Sequence, residues 1–200
     1  TFRPPLAVHF IWHPSDTGSV APILVSIRTH FARNVDRPFS RGLNIPLFFY
    51  SSESPNISPV DVPQQQADLD RVAAKIGGST LAIDITAADA GQKIRDAATV
   101  QGGLDIIVHN SGITRDKTLA NMKPELWDLV ININWSAIER VNDYLLENDG
   151  FNVNRRIVCV SSISGIAGNL GQTNYAASKA GVIGVVKFTA PVLKNGVTIN

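Results

Sequence analysis

From Val60 onward the chain falls into short apolar runs that alternate with longer amphipathic stretches. "ADLDRVAAKIGG" places Leu69, Val72, Ala73 and Ile76 on one helical face, with Gly77 suited to end the helix. "STLAIDIT" reads as a short buried strand, and Thr86 with Asp89 has the form of a capping box opening a second helix. "LDIIVHNSG" is a further apolar strand that runs into a glycine turn. Between Pro124 and Glu147 the apolar stripe Leu126, Val130, Ile133, Ala137, Val141 and Leu145 predicts a long helix, with proline in its first turn. "RRIVCVSS" is the next strand, "NYAASKAGVIGVVKF" the next helix and "GVTIN" the start of another strand. Strands of this length alternating with helices predict an α/β fold, a Rossmann-type doubly wound parallel sheet. Ligands then belong at the carboxyl ends of the strands.

The pattern changes near Val60. Residues 1–59 hold eight of the eleven prolines, three of the seventeen acids (Asp16, Asp36, Glu53) and no lysine. The expected organisation is therefore an atypical Pro-rich segment over 1–59, in place of a first strand–helix unit, followed by a partial domain over 60–200.

Composition narrows the function. Eighteen basic residues against seventeen acidic ones give a net charge of +1, which offers nothing to nucleic acid or an anionic membrane. No apolar run reaches spanning length. The single cysteine, Cys159, excludes an internal disulfide and a cysteine-built zinc site, and a reducing cytoplasm is the expected location. His9 and His13 are four residues apart, but no third ligand follows in a recognisable pattern, so no metal is expected.

Three polar groups fall at strand ends: Asn110, Ser111 and Gly112; Ser161 and Ser162; and Tyr175 with Lys179 on the next helix. Tyr175 and Lys179 are four residues apart and share a helix face. A nearby ammonium favours tyrosinate and brings the phenol closer to working pH. A serine hydroxyl can hydrogen-bond a carbonyl oxygen as negative charge develops on it. These are parts for adding hydride to a ketone, with the tyrosine supplying the proton. Taken alone, the same residues also read as a solvated helix pair and a strand-end cap.

"HNSGITRDKTLANMKPELWD", "ININWSA", "VSSISGIAGNLGQTNYAASKAGVIG" and "GVTIN" together resemble the short-chain dehydrogenases/reductases, and within them the 3-oxoacyl-[acyl-carrier-protein] reductases. The resemblance covers residues 60–200. It implies Tyr175 as general acid/base, Lys179 as holder of the nicotinamide ribose, and Ser162, thirteen residues before the tyrosine, as the group orienting the carbonyl. Asn134 would kink its helix and hold a water that links Lys179 to solvent. Asn110, Ser111 and Gly112 match the motif backing the cofactor, with serine in place of the usual alanine. Asp84 and Ile85 match the adenine contacts, and Asp61 the position that selects the cofactor. A carboxylate there accepts the ribose hydroxyls of NAD and repels the 2′-phosphate of NADP, so NAD(H) is favoured over NADP(H). The implied reaction is reduction of a 3-oxoacyl thioester, carried on acyl carrier protein or coenzyme A, to the 3-hydroxyacyl form. The small residues Ala176, Ala177, Ala180, Gly181 and Gly184 fit the subunit-interface helix of a homo-oligomer, dimer or tetramer.

The family's glycine fingerprint, which brings backbone close to the pyrophosphate, is missing: only Gly18 and Gly42 precede Gly77. "SRGLN" echoes it, but Pro38 and Asn44 stand where glycines belong. The sheet is thus expected to be incomplete at both ends, the chain stopping at Asn200 within a strand. Two accounts stand side by side. The chain is a reductase fragment whose first 59 residues come from a shifted frame or a wrongly joined exon, or it is a non-catalytic relative that binds an intact reductase.

Overall fold

A computed structural model describes residues 23–25, 45–50, 78–100 and 103–200. Asp61, the helix expected around Leu69–Ile76 and the residues of the glycine-poor "SRGL" lie outside them. Six strands form one sheet: β1 (Ile23–Val25), β2 (Ile45–Tyr50), β3 (Gly78–Ile83), β4 (Leu104–His109), β5 (Phe151–Cys159) and β6 (Thr198–Ile199). Their order is β3-β2-β1-β4-β5-β6, the strand order of a Rossmann sheet. The α/β expectation holds.

One strand departs from the expected parallel pairing. β2 through β6 all run the same way, whereas β1 is antiparallel to both β2 and β4. Apolar patterning is blind to strand direction: "ILV" fills the slot between two strands in either sense. β2, an apolar "IPLFFY" absent from the expected elements, pairs residue for residue with β3 from Ile45–Gly78 to Tyr50–Ile83. It carries Pro46 one position before its β1 partners begin, so the missing amide interrupts no β1 pairing.

The helices are α1 (Ala90–Val100), α2 (Pro124–Ile131), α3 (Ala137–Glu147), α4 (Ser164–Ala167) and α5 (Thr173–Thr189). α2 and α3 continue each other through a π-helical turn, Asn132–Ser136. The expected stripe is buried from Val130 to Leu145, and Leu126 is half-buried. Beside it runs a second buried line that apolar patterning overlooked: Asn134, Ile138 and Asn142. The apolar line from Val130 to Leu145 meets Ile94 and Ala98 of α1 and Ile107 and Ile157 of the sheet in one core.

The capping box expected at Thr86 does not form. Asp84 Oδ1 accepts both the Thr86 amide and its hydroxyl, each at 2.7 Å, and α1 begins only at Ala90. The aspartate two residues upstream outcompetes the one three residues downstream because an Asx turn needs no helical geometry.

Candidate active site

Helix α5 sets Tyr175 and Lys179 on adjacent turns. The lysine ammonium lies 5.9 Å from the centroid of the tyrosine ring. Lys179 is only 3% exposed and donates to the Val160 carbonyl, just past β5, at 2.8 Å. Burial lowers its pKa from 10.5 to about 8, partly offset by the nearby Cys159 thiol. An ammonium has three donors, and the carbonyl takes one. The Tyr175 hydroxyl is engaged by no other described group.

Asn134 is fully buried on the π turn and makes three hydrogen bonds. Its Oδ1 accepts from the Ile113 amide (2.8 Å), and its Nδ2 donates to the Ile113 carbonyl (2.9 Å) and to Ser178 Oγ (3.0 Å). Ser178 in turn donates to the Tyr175 carbonyl at 2.7 Å. The asparagine therefore couples the turn after β4 to the helix bearing the tyrosine and lysine. A π turn widens one helical turn and re-aims its side chains, the usual setting of such turns at functional sites.

Asn110, Ser111 and Gly112 form that turn. A Cβ on Gly112 would lie 3.2 Å from Lys179 Nζ and 3.4 Å from Asn134 Oδ1, so glycine permits the close approach. Ser111 is buried, and its hydroxyl has no partner. Of the two serines after β5, Ser161 donates to the Lys179 carbonyl at 2.7 Å. Ser162 Oγ accepts the Ser164 amide at 3.2 Å, which leaves its own hydrogen to donate. Asp84 is exposed and turned onto Thr86, while the Ile85 side chain belongs to the core.

Sequence reasoning missed several supporting groups. Asn174 is buried, receives the Tyr175 amide at 2.8 Å and donates to the carbonyls of Arg115 (3.1 Å) and Leu126 (3.3 Å). Gln172 reaches Asp116 at 2.9 Å, and the Lys117 amide meets the Gly171 carbonyl at 2.8 Å, tying the loop before α5 to the loop after β4. His109, the last residue of β4, is fully buried and bonded through Nε2 to Asn142 Oδ1 at 2.7 Å. Its only sequence signal was a lone polar residue ending an apolar strand. Of the small residues expected at an interface, Gly181 is used inside the chain: a Cβ there would strike the Trp135 ring at 2.5 Å.

A nicotinamide ribose fits what is present: an ammonium with donors left over, a glycine that opens the space beside it, and a phenol and a serine hydroxyl with hydrogens to give. The glycine-rich turn for the pyrophosphate has no counterpart in the sequence. Among the described residues no cluster suits a metal, and no helix is long and apolar enough to cross a membrane.

Residues 56–200 match the family model described as Enoyl-(Acyl carrier protein) reductase. The 3-oxoacyl-[acyl-carrier-protein] reductase FabG of Vibrio cholerae is 41% identical over 125 residues, covering 62% of this chain and 51% of the relative. The protein of the same name from Thermotoga maritima is 51% identical over 92 residues, covering 46% and 37%. The chain thus spans about half or less of the length of these two relatives. The crystal structure of a short chain dehydrogenase from Mycobacterium avium superposes with a TM-score of 0.59 at 32% identity, over 68% of this chain and 49% of that one. With the strand order, the tyrosine–lysine helix and the asparagine on its π turn already in place, the chain belongs to the short-chain dehydrogenase/reductase family.

Proposed function

We propose that the chain carries the catalytic half of an NAD(P)(H)-dependent oxidoreductase that reduces a 3-oxoacyl thioester to the 3-hydroxyacyl form, as in fatty acid metabolism. The observation that carries this reading is the meeting of Lys179 Nζ, Asn134 Oδ1 and Gly112 beside the Tyr175 ring. The relatives' names point to acyl groups on acyl carrier protein; coenzyme A presents the same thioester chemistry.

Ser162 donates its hydroxyl hydrogen to the substrate carbonyl and orients it. When bound, the reduced nicotinamide supplies the hydride that reaches the carbonyl carbon. Tyr175 gives its phenolic proton to the carbonyl oxygen, and the neighbouring ammonium of Lys179 stabilises the tyrosinate that results. Lys179 also offers its remaining donors to the ribose hydroxyls. Asn134 holds Ile113 and Ser178, and through them the turn and helix that bracket the reacting atoms. Ile163, Ile166 and Leu170, all exposed close to Ser162 in sequence, offer apolar surface to an acyl chain. NADH is favoured over NADPH on the strength of Asp61 alone, and a cytoplasmic homo-oligomer remains part of the reading.

The second reading is a non-catalytic relative that associates with an intact reductase. The scarcity of glycine before Gly77 favours it. Fluorescence titration with NADH, and with NADPH for comparison, separates the two. Saturable binding followed by NADH consumption with a 3-oxoacyl coenzyme A thioester supports the enzyme, and Tyr175→Phe then lowers kcat about 10²–10⁴-fold. A folded chain that binds neither nucleotide overturns the enzyme reading.

A further inference from the structure

The π turn and α3 send two buried polar side chains toward the same short segment. Asn134 grips Ile113 at both amide and carbonyl. Asn142, eight residues on and only 4% exposed, grips His109. The residues between these ties are Asn110, Ser111 and Gly112. The His109 carbonyl accepts the Val160 amide at 2.9 Å, and the Val160 carbonyl accepts Lys179 Nζ at 2.8 Å, so the strand end held by His109 also sets the carbonyl that holds the lysine.

We propose that His109 and Asn142 are positioning residues: their hydrogen bond anchors the entry of the Asn110–Gly112 turn as Asn134 anchors its exit, keeping Gly112 clear of the Lys179 ammonium. The inference rests on the reading that this turn backs the nicotinamide. Asn142 presents its amide oxygen, so His109 Nε2 carries the hydrogen and the ring is neutral; burial keeps its pKa down at about 4. His109 Nδ1 and Asn142 Nδ2 are buried with no partner. As a stability device the pair is therefore poor, because two apolar residues of similar shape avoid those unsatisfied groups. What the pair adds is direction: a hydrogen bond fixes distance and angle, whereas apolar contact leaves the strand end free to slide.

The test uses the 200-residue chain carrying His109→Met together with Asn142→Leu. The expected result is an unchanged or higher Tm, at least tenfold faster hydrogen exchange at the Ile113 amide, and at least tenfold weaker NADH binding. His109→Gln, whose amide reaches about as far as Nε2, restores slow exchange, while the near-isosteric His109→Met alone does not. That single-site contrast decides the matter if the double variant does not fold. Equal Ile113 exchange in the Gln and Met variants overturns the proposal. Failure of the unmutated chain to bind NADH overturns the proposed function instead, and the exchange contrast still supports or overturns the positioning role.

Discussion

At the carboxyl end of β3 the Asp84 carboxylate closes on the amide and hydroxyl of Thr86, two residues away and in solvent. At the carboxyl end of β4, with the strand running the same way, the turn Asn110–Gly112 is held by Asn134 and flanked by the His109–Asn142 bond, with partners 21 and 33 residues apart in the chain. Both turns were expected to touch the cofactor. The first is an Asx turn made between residues two apart in the chain. The second keeps its shape only while α2, α3 and α5 stay in place. An edge that meets a ligand's periphery tolerates local definition. A centre that sets an ammonium, a phenol and a glycine within ångströms of one another needs walls from several elements, since no local sequence controls all three.

The contrast is broken most severely at Asn134. Asn134→Leu leaves the Ile113 amide and carbonyl buried without partners, and should cost about 3–5 kcal/mol of unfolding free energy in denaturant titration. Asn134→Asp retains the acceptor for the Ile113 amide but buries a carboxylate whose second oxygen faces the Ile113 carbonyl, so a loss of similar size is expected.

Lys179 sharpens it through pH. Its folded pKa, about 8, lies below its ordinary 10.5. Between those values the unfolded chain binds more protons, so this residue's contribution to stability rises with pH across that window and is least favourable below it. Unfolding measured from pH 8 to 10.5 should show a rise of roughly 1–3 kcal/mol from this group, which Lys179→Met removes.

Gly112→Ala comes next. The added methyl meets the flexible end of Lys179 rather than rigid backbone, so stability falls by about 1 kcal/mol or less, while NADH binding weakens roughly tenfold. Asp84→Ala should do least. It removes exposed local hydrogen bonds worth about 0.5–1 kcal/mol together, and NADH affinity should change by less than about tenfold. A larger loss of NADH binding at Asp84 than at Gly112 would reverse the order of the two turns.

Read along the chain, the residues that announced themselves did so through spacing. Strands β3 to β6, the helices that join them, the apolar line from Val130 to Leu145 and the four-residue step from Tyr175 to Lys179 were legible because period and chain geometry are local properties, whereas Ser162 was singled out by the family resemblance. Buried polar residues to which the resemblance gave no role were not legible. Asn142, Asn174 and His109 carry no local signal of their partners, and only the fold buries them against those partners. Asp84 matched a family position, and its carboxylate accepts both the amide and the hydroxyl of Thr86, a partner two residues away and so within easy reach.

By itself the sequence determined the α/β class and the family and supplied the candidate residue types for proton transfer, since each rests on short-range pattern. Only the tertiary structure decided that β1 runs antiparallel, that Ser161 is used up on helix α5 while Ser162 keeps its hydrogen, and that Lys179 is buried enough to titrate near pH 8. The physical reason is common to all three. Strand direction, hydrogen-bond partnership and desolvation depend on which distant segments arrive alongside, and a local run of residues carries no record of them.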